Sequence, residues 1–265
     1  MKRSMESEIL KTLQEKGYHV LYQEKTDSTN VWAGRLAREG APSRTLVCAD
    51  MQTDGRGRRG RRWESPPGES LYMTLILRPD FCPQQASMLT LVTGLSVAQA
   101  LCAMTGLKAL LKWPNDVVVS GKKICGILTE MSAGMERVEY ILIGVGINVN
   151  GCEFPEELKA MATSVKLELG HAVSRWELAA MVWNCFEENY RLFQKTGNFS
   201  LLRQEYERML VSRNRQVRVS GREEPFEGLA MGINDEGELL VKGPDGKIRE
   251  ICAGEVSVRG LYGYI

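Results

Sequence analysis

Apolar positions along this chain fall mostly in short continuous runs, not in long helical stripes. Residues 18–25, Arg44–Met51, Ser70–Arg78, 109–113 and 116–119 read as strands, with a turn at Ser120-Gly121. Lys123–Ser132 and Arg137–Val149 read as an antiparallel pair around Ala133-Gly134. Helical periodicity is confined to a few places. Residues 5–16 form a short amphipathic pattern closed by Gly17, and a second helix starts near Thr26-Asp27-Ser28 and stops at Gly40. Residues 84–105 are apolar on nearly every face, which predicts a buried helix. Further helices are expected over 156–160, 174–195 and 199–210. From Gln216 onward the texture changes to short alternating strands punctuated by Asp235-Glu236-Gly237 and Pro244-Asp245-Gly246. We expect an α+β domain over 1–211, a mixed or antiparallel sheet with flanking helices, and a small C-terminal β-barrel over 212–265.

One stretch fits no period. Gln52–Glu69, about 18 residues rich in Gly, Arg and Pro, is longer than most structureless connections and reads as a functional loop. Composition sharpens this. The 265 residues are 43% hydrophobic and 25% charged, with a formal net charge of only +1. Nucleic-acid binding by overall charge is therefore disfavoured, and basicity is local. Arg56, Arg58, Arg59, Arg61 and Arg62 all fall in the loop. Seven scattered cysteines, none spaced C-x-x-C, argue for reduced thiols and against zinc or a disulfide framework. The N-terminus shows no secretory pattern and we expect no membrane span, which points to a cytoplasmic protein.

Four motifs carry candidate chemistry. Gly55-Arg56-Gly57-Arg58-Arg59-Gly60 formally matches G-x-G-x-x-G, and Asp80 follows at a dinucleotide-like distance. That fingerprint must open a helix, and Pro66-Pro67-Gly68 forbids one. Glycines that admit a ligand to the backbone, beside arginine forks, suit a carboxylate or phosphate better. Taken alone, the run is equally a solvated basic loop. Lys112-Trp113-Pro114-Asn115-Asp116 delivers a lysine from an apolar stretch into a turn, or is simply a turn with a buried Trp. Lys123-Ile124-Cys125-Gly126-Ile127-Leu128-Thr129-Glu130 and Gly144-Val145-Gly146-Ile147-Asn148-Val149-Asn150 place glycines inside paired strands. Such glycines mark close approach by a ligand or by another backbone.

Together with Asp27-Ser28-Thr29-Asn30, these blocks resemble the signature blocks of the biotin–protein ligase family, in its order and spacing. The ending Gly254-Glu255-Val256-Ser257-Val258-Arg259-Gly260 resembles that family's small C-terminal domain. The resemblance implies a class II synthetase-like catalytic domain and an SH3-like barrel. It implies two reactions: biotin and ATP give biotinyl-5'-AMP and pyrophosphate, then a lysine on the biotin carrier domain of a carboxylase takes the biotinyl group. By resemblance, Ser28, Thr29, Asn30, Gln52, Gly55, Arg56, Gly57, Arg58, Lys123, Gly126, Gly144 and Gly146 bind biotin. Arg58, Arg59, Lys112, Asn115, Asp116 and Asn148 lie near ATP and Mg²⁺, whose ligands are left open, and Lys112 and Arg56 are the catalytic candidates. Many relatives carry an N-terminal helix-turn-helix repressor domain. The 27 residues before Ser28 read as one helix and one strand, so we expect a ligase without specific DNA binding. The rivals are a lipoate–protein ligase or related acyl transferase, and a nucleic-acid-binding protein built on the arginine cluster. His19 and His171 sit far from every block and suggest no general base.

Overall fold

A computed structural model of the protein describes residues 11, 13–134, 137–221, 224–254, 257–260 and 265. The helix expected over 5–16 is described only at its end, where residues 13–15 are helical, and Glu255 and Val256 of the C-terminal motif lie outside the described residues. The larger sheet contains β1 (His19–Thr26), β2 (Thr45–Gln52), β3 (Ser70–Leu77), β4 (Leu110–Lys112), β5 (Asp116–Val119), β6 (Lys122–Ala133) and β7 (Val138–Asn148). Their order is β1-β2-β3-β7-β6-β5-β4. Only β1 and β2 run parallel; the other neighbours are antiparallel. The sheet is therefore mixed, one of the two arrangements expected.

Period-two alternation gives the sheet two unlike faces. One face carries Leu46, Cys48, Met73, Leu75, Ile127, Ile143, Val145 and Ile147, all in the main core. Helix α1 (Thr29–Arg38) lies on the other face, while α2 (Met88–Thr105) and α4 (Arg175–Thr196) cover the core face; α3 (Val165–Leu169) and α5 (Arg203–Met209) are short. Helix α2 is sandwiched between sheet and α4, which explains why its sequence shows no polar stripe. The segment Pro83–Thr105 is long and apolar enough to cross a membrane, yet 67% of its most apolar window is buried inside the fold. On the opposite face Trp32, Ala33 and Ala37 of α1 pack on Val47, Ile76 and Leu142. That cluster covers only one end of the face, and the uncovered remainder holds the site.

Two expected helices differ. Residues 156–160 are turns, because Met161 and Thr163 are drawn into backbone pairing with Lys123 at 2.7 and 2.9 Å and leave no room for a helix to propagate. Helix α3 forms just after, capped by Ser164, whose hydroxyl accepts from the Leu167 N–H. The helix expected over 199–210 shortens at both ends. The Phe199 N–H is taken by the Asp235 carbonyl at 2.6 Å, and Leu210 forms an isolated bridge to Leu111.

After α5 the chain forms an antiparallel five-stranded sheet from β8 (Arg215–Ser220), β9 (Phe226–Ile233), β10 (Leu239–Lys242), β11 (Ile248–Ile251) and β12 (Ser257–Gly260), in the order β11-β10-β9-β8-β12. Among the described residues its edge strands β11 and β12 do not pair with each other, so the sheet is not closed. It packs on the larger unit through its β9–β10 turn. Arg203 pairs with Asp235 at 2.9 Å, and the Trp113 indole N–H donates to the Gly237 carbonyl at 3.0 Å.

Candidate active site

Strand register builds the floor of the site. On the partly covered face, Tyr72, Gly146, Gly126 and Asp116 lie in one row across β3, β7, β6 and β5. Thr74, Gly144 and Leu128 form the next row, and Ile76, Leu142 and Glu130 the third. Glycine is needed in the first row because something lies directly on it. A Cβ on Gly126 or Gly146 would come within 2.8 Å of the Trp63 ring. Trp63 descends from the long loop, which lies over the sheet, stitched by Gly57 N–H to Arg61 carbonyl (2.7 Å) and Trp63 N–H to Gly55 carbonyl (2.9 Å).

Two clefts result, and they share Gly57, Arg58, Trp63, Asn115 and Lys123 as a common wall. The first, about 440 Å³ including its open mouth, brings together Ser28, Thr29, Asn30 and Gln52 at one end, Arg56, Gly57 and Arg58 above, and Lys123, Gly126, Gly144 and Gly146 below. Gly55 does not line it; a Cβ there would meet the Trp63 carbonyl oxygen at 2.3 Å, so this glycine serves the loop's own fold. Gly144 lines it, but the space above that glycine is filled by Asn30, whose Oδ1 lies 2.0 Å from where a Cβ would sit. The second cleft, about 1580 Å³ with its open mouth, gathers Arg58, Arg59, Lys112, Asn115, Asp116 and Asn148.

The polar end of the first cleft is a buried network. The Gln52 Oε1 accepts from the Thr29 N–H at 2.8 Å, and Gln52 Nε2 donates to the Ser65 hydroxyl at 2.8 Å. Asn30 Nδ2 donates to the Leu128 carbonyl and to Glu130, while its Oδ1 accepts from the Thr74 hydroxyl at 2.7 Å. Ser28, Thr29, Asn30, Gln52, Ser65 and Thr74 are all buried, so their hydrogen bonds are obligatory rather than incidental.

The cationic wall is less evenly tied down. Arg58 donates to Asn115 Oδ1 at 2.9 Å and to the carbonyls of Ala253 and Gly254 at 2.5 and 2.6 Å. It thus joins the loop, the Lys112–Asp116 turn and the C-terminal unit. Burial lowers its pKa, offset in part by Asp116. Lys123 pairs with Asp116 at 2.7 Å, and its ammonium lies 5.2 Å from the centre of the Trp63 ring. Burial pushes the Lys112 ammonium down to about 8, with Asp116 resisting and Lys123, Arg259 and Arg61 adding to the fall. Arg56 and Arg62 hold loose, exposed ion pairs, to Asp54 at 3.8 Å and to Glu64 at 3.5 Å, and Arg62 also donates to the Thr53 carbonyl at 3.4 Å. Asn148 donates to the Thr163 carbonyl at 3.1 Å, tying the 151–163 segment to β7.

Sequence reasoning missed several lining residues. Trp63 and Tyr72 line the first cleft; Phe154, Leu158, Met161 and Arg259 line the second. Trp63 had a signal, a large aromatic isolated in an otherwise polar, aperiodic loop. Phe154, Leu158 and Met161 had none, because an apolar residue lining a cleft reads like one filling a core.

The arrangement offers a narrow, polar-ended slot beside a wide cationic cleft, with Lys123, Arg58 and Asn115 at the junction. Such a site can hold an anionic group of one molecule against the phosphates of another. Comparison with known proteins agrees. The profile of the Biotin/lipoate A/B protein ligase family matches residues 21–148, and that of the Biotin protein ligase C terminal domain matches residues 214–259. The bifunctional ligase/repressor BirA of Bacillus spizizenii is 40% identical over 244 residues, spanning 91% of this chain and 74% of that protein. The biotin–[acetyl-CoA-carboxylase] ligase of Paracoccus denitrificans is 34% identical over 89% of this chain and 99% of its own length. A biotin protein ligase of Aquifex aeolicus, solved in complex with biotin and ATP, superposes with a TM-score of 0.80 at 34% identity, over 91% of this chain and 99% of the other.

Proposed function

The chain belongs to the biotin/lipoate A/B protein ligase family, and on that footing we propose that it is an ATP-dependent biotin–protein ligase. The observation that carries the reading is the shared wall between the two clefts, which lets one set of cations serve two anions at once. Biotin enters the first cleft beside the Trp63 ring, its ureido group at the polar end and its carboxylate toward Arg58 and Lys123. ATP occupies the second. A carboxylate oxygen forms a bond to the α-phosphorus, and the bond to the leaving pyrophosphate breaks. Negative charge accumulates on the phosphoryl oxygens, and Lys112 is placed to stabilise it. The acceptor lysine, as a free amine, then attacks the acyl carbon; the amide forms and AMP departs.

Mg²⁺ fits this site as a phosphate-held ion. Among the described residues no group of three or more acidic, histidine or cysteine side chains could hold a metal, but Asp116 supplies one carboxylate in the nucleotide cleft. One carboxylate with substrate phosphates is a common way to bind this ion. When bound it would neutralise phosphate charge, while Lys112 and Arg58 act from the protein side. We further propose a division near Ser212 into a catalytic domain and a C-terminal SH3-like unit, a cytoplasmic location, a carboxylase carrier domain as acceptor, and no specific DNA binding.

The test is direct. The protein is incubated with biotin, labelled ATP and a carrier domain, and pyrophosphate and carrier mass are followed. Biotin-dependent pyrophosphate release with a biotinyl mass increase on one lysine is expected. Lipoate in place of biotin, in both turnover and thermal-shift titration, is the competing arm; a preference for lipoate would reassign the substrate.

A further inference from the structure

The buried polar network has a direction, and one residue outside the cleft sets it. Glu130 lies on β6, in the row beyond Leu128, and does not line either cleft. Its Oε2 accepts from Asn30 Nδ2 at 2.7 Å. An ionised carboxylate only accepts, so this contact and the Leu128 carbonyl together fix which way the Asn30 amide points. The amide oxygen must then face Thr74, whose hydroxyl donates to it at 2.7 Å. A hydroxyl has one proton. Having given it to Asn30, Thr74 can only accept from Thr29, whose Oγ1 is 2.9 Å away. Thr29 therefore points its own proton at Thr74 and away from Gln52 Oε1, the more distant alternative at 3.1 Å. Gln52 Oε1 keeps the Thr29 N–H as donor and retains a free lone pair.

We propose that Glu130 is a positioning residue for the first cleft. Acting through Asn30 and Thr74, it holds Thr29 and Gln52 as hydrogen-bond acceptors. Acceptors at this end are what the two N–H groups of a ureido ring require, so the inference rests on the biotin reading above and deepens it. Gly144 belongs to the same device. Only a residue without a Cβ leaves room for the Asn30 amide to bridge Glu130 and Thr74.

The relay makes a ranked prediction for biotin affinity, measured by calorimetry on the full chain. Glu130→Gln can still turn a carbonyl oxygen to Asn30 and stays near wild type. Glu130→Ala removes the acceptor and weakens biotin by about tenfold, as for loss of one partly buried hydrogen bond to a charged group. Glu130→Lys offers only donors and weakens it most. A simple field effect predicts the opposite sign for the lysine variant, because added positive charge attracts the biotin carboxylate. Thr74→Val breaks the chain one step on. In that background Glu130→Lys should cost little more, a non-additivity expected of coupled groups. Adenylation kcat at saturating biotin and KM for ATP should move far less than KM for biotin, and melting temperatures of the variants at the exposed Glu130 should stay close to wild type. Equal biotin affinity across the Glu130 series, additive losses with Thr74→Val, or tighter binding by Glu130→Lys would each overturn the relay. Failure of the wild-type protein to bind biotin at all would instead overturn the substrate reading on which it rests.

Discussion

At the scale of single residues, Lys112 carries the clearest consequence. Its ammonium is held near 8 against an ordinary 10.5, chiefly by burial. Protonated Lys112 is the form that can stabilise a phosphoryl group, so kcat/KM for ATP should fall as pH rises through about 8. With nucleotide bound, the phosphates favour the ammonium and the limb seen in kcat should lie higher. The linked stability runs the other way. Between about 8 and 10.5 the unfolded lysine holds a proton that the folded one has released, so this group adds stability as pH rises. Activity loss without a fall in melting temperature is therefore expected, and Lys112→Arg should push the descending limb out of range. Lys112→Ala should lower the adenylation rate roughly 10²–10³-fold, the usual effect of losing one preorganised charge-stabilising group, while biotin affinity changes little. Rapid-quench measurement of adenylate checks it, and an unchanged rate removes Lys112 from the chemistry. Gly144 offers a structural counterpart. Gly144→Ala must displace the Asn30 amide and its bonds to Thr74 and Glu130, at a cost of about 1–3 kcal/mol for an overpacked buried site. Denaturant unfolding together with biotin titration should show both stability and affinity reduced.

At the scale of elements, the arginine loop is the part that moves the argument. Among the described residues, Arg58 alone of the five arginines has close, partly buried side-chain partners; Arg56 and Arg62 have exposed ion pairs of the kind that contribute little. Like charges crowded over one face repel until an anion arrives, so the loop should exchange its amides quickly without ligand and slowly with biotinyl-adenylate bound. Hydrogen–deuterium exchange over residues 52–69 measures this, and identical protection in both states would count against an anion-closed loop. Arg58→Gly removes the tie to Asn115, Ala253 and Gly254 together, and free biotinyl-adenylate in the medium should rise severalfold by mass spectrometry. This element was legible in the sequence as a loop with a purpose because its composition and lack of period are local properties. The 151–163 segment was not. Its turns exist because Met161 and Thr163 pair with Lys123, and the Glu-Glu-Leu-Lys-Ala stretch after Pro155, made of good helix formers, gives no sign of that distant partner. The glycine strands were legible as sites of close approach. What approaches each of them was not, since Trp63 over Gly126 and Asn30 against Gly144 depend on the register of three strands.

At the scale of the whole molecule, the change of texture from Gln216 onward announced the C-terminal sheet but could not say how it is joined to the rest. That contact is long-range: Trp113 and Gly237 are 124 residues apart, and no local pattern links them. The joint bears on catalysis because of where it attaches. Trp113 sits between Lys112 and Pro114, is 2% exposed, and donates its indole N–H to the Gly237 carbonyl of the β9–β10 turn. That turn is itself braced: Asn234 Oδ1 accepts from the N–H groups of Glu236 and Glu238, and Asp235 holds Arg203. The C-terminal unit thus fixes the position of the turn that presents Lys112, while Ala253 and Gly254 of the same unit hold Arg58, which lines the same cleft. Trp113→Phe keeps most of the packing and removes only the hydrogen bond, leaving a buried carbonyl unsatisfied at a cost of about 1–3 kcal/mol. If the bond were mere glue between domains, the loss would show in melting temperature alone. If it positions Lys112, adenylation kcat should fall about tenfold or more at saturating substrates, because a small displacement of a charge-stabilising group is costly in the transition state, while biotin affinity stays near wild type. Stopped-flow adenylation with calorimetric biotin binding on the same variant separates the two, and an unaltered kcat in a destabilised protein would assign Trp113 to stability only.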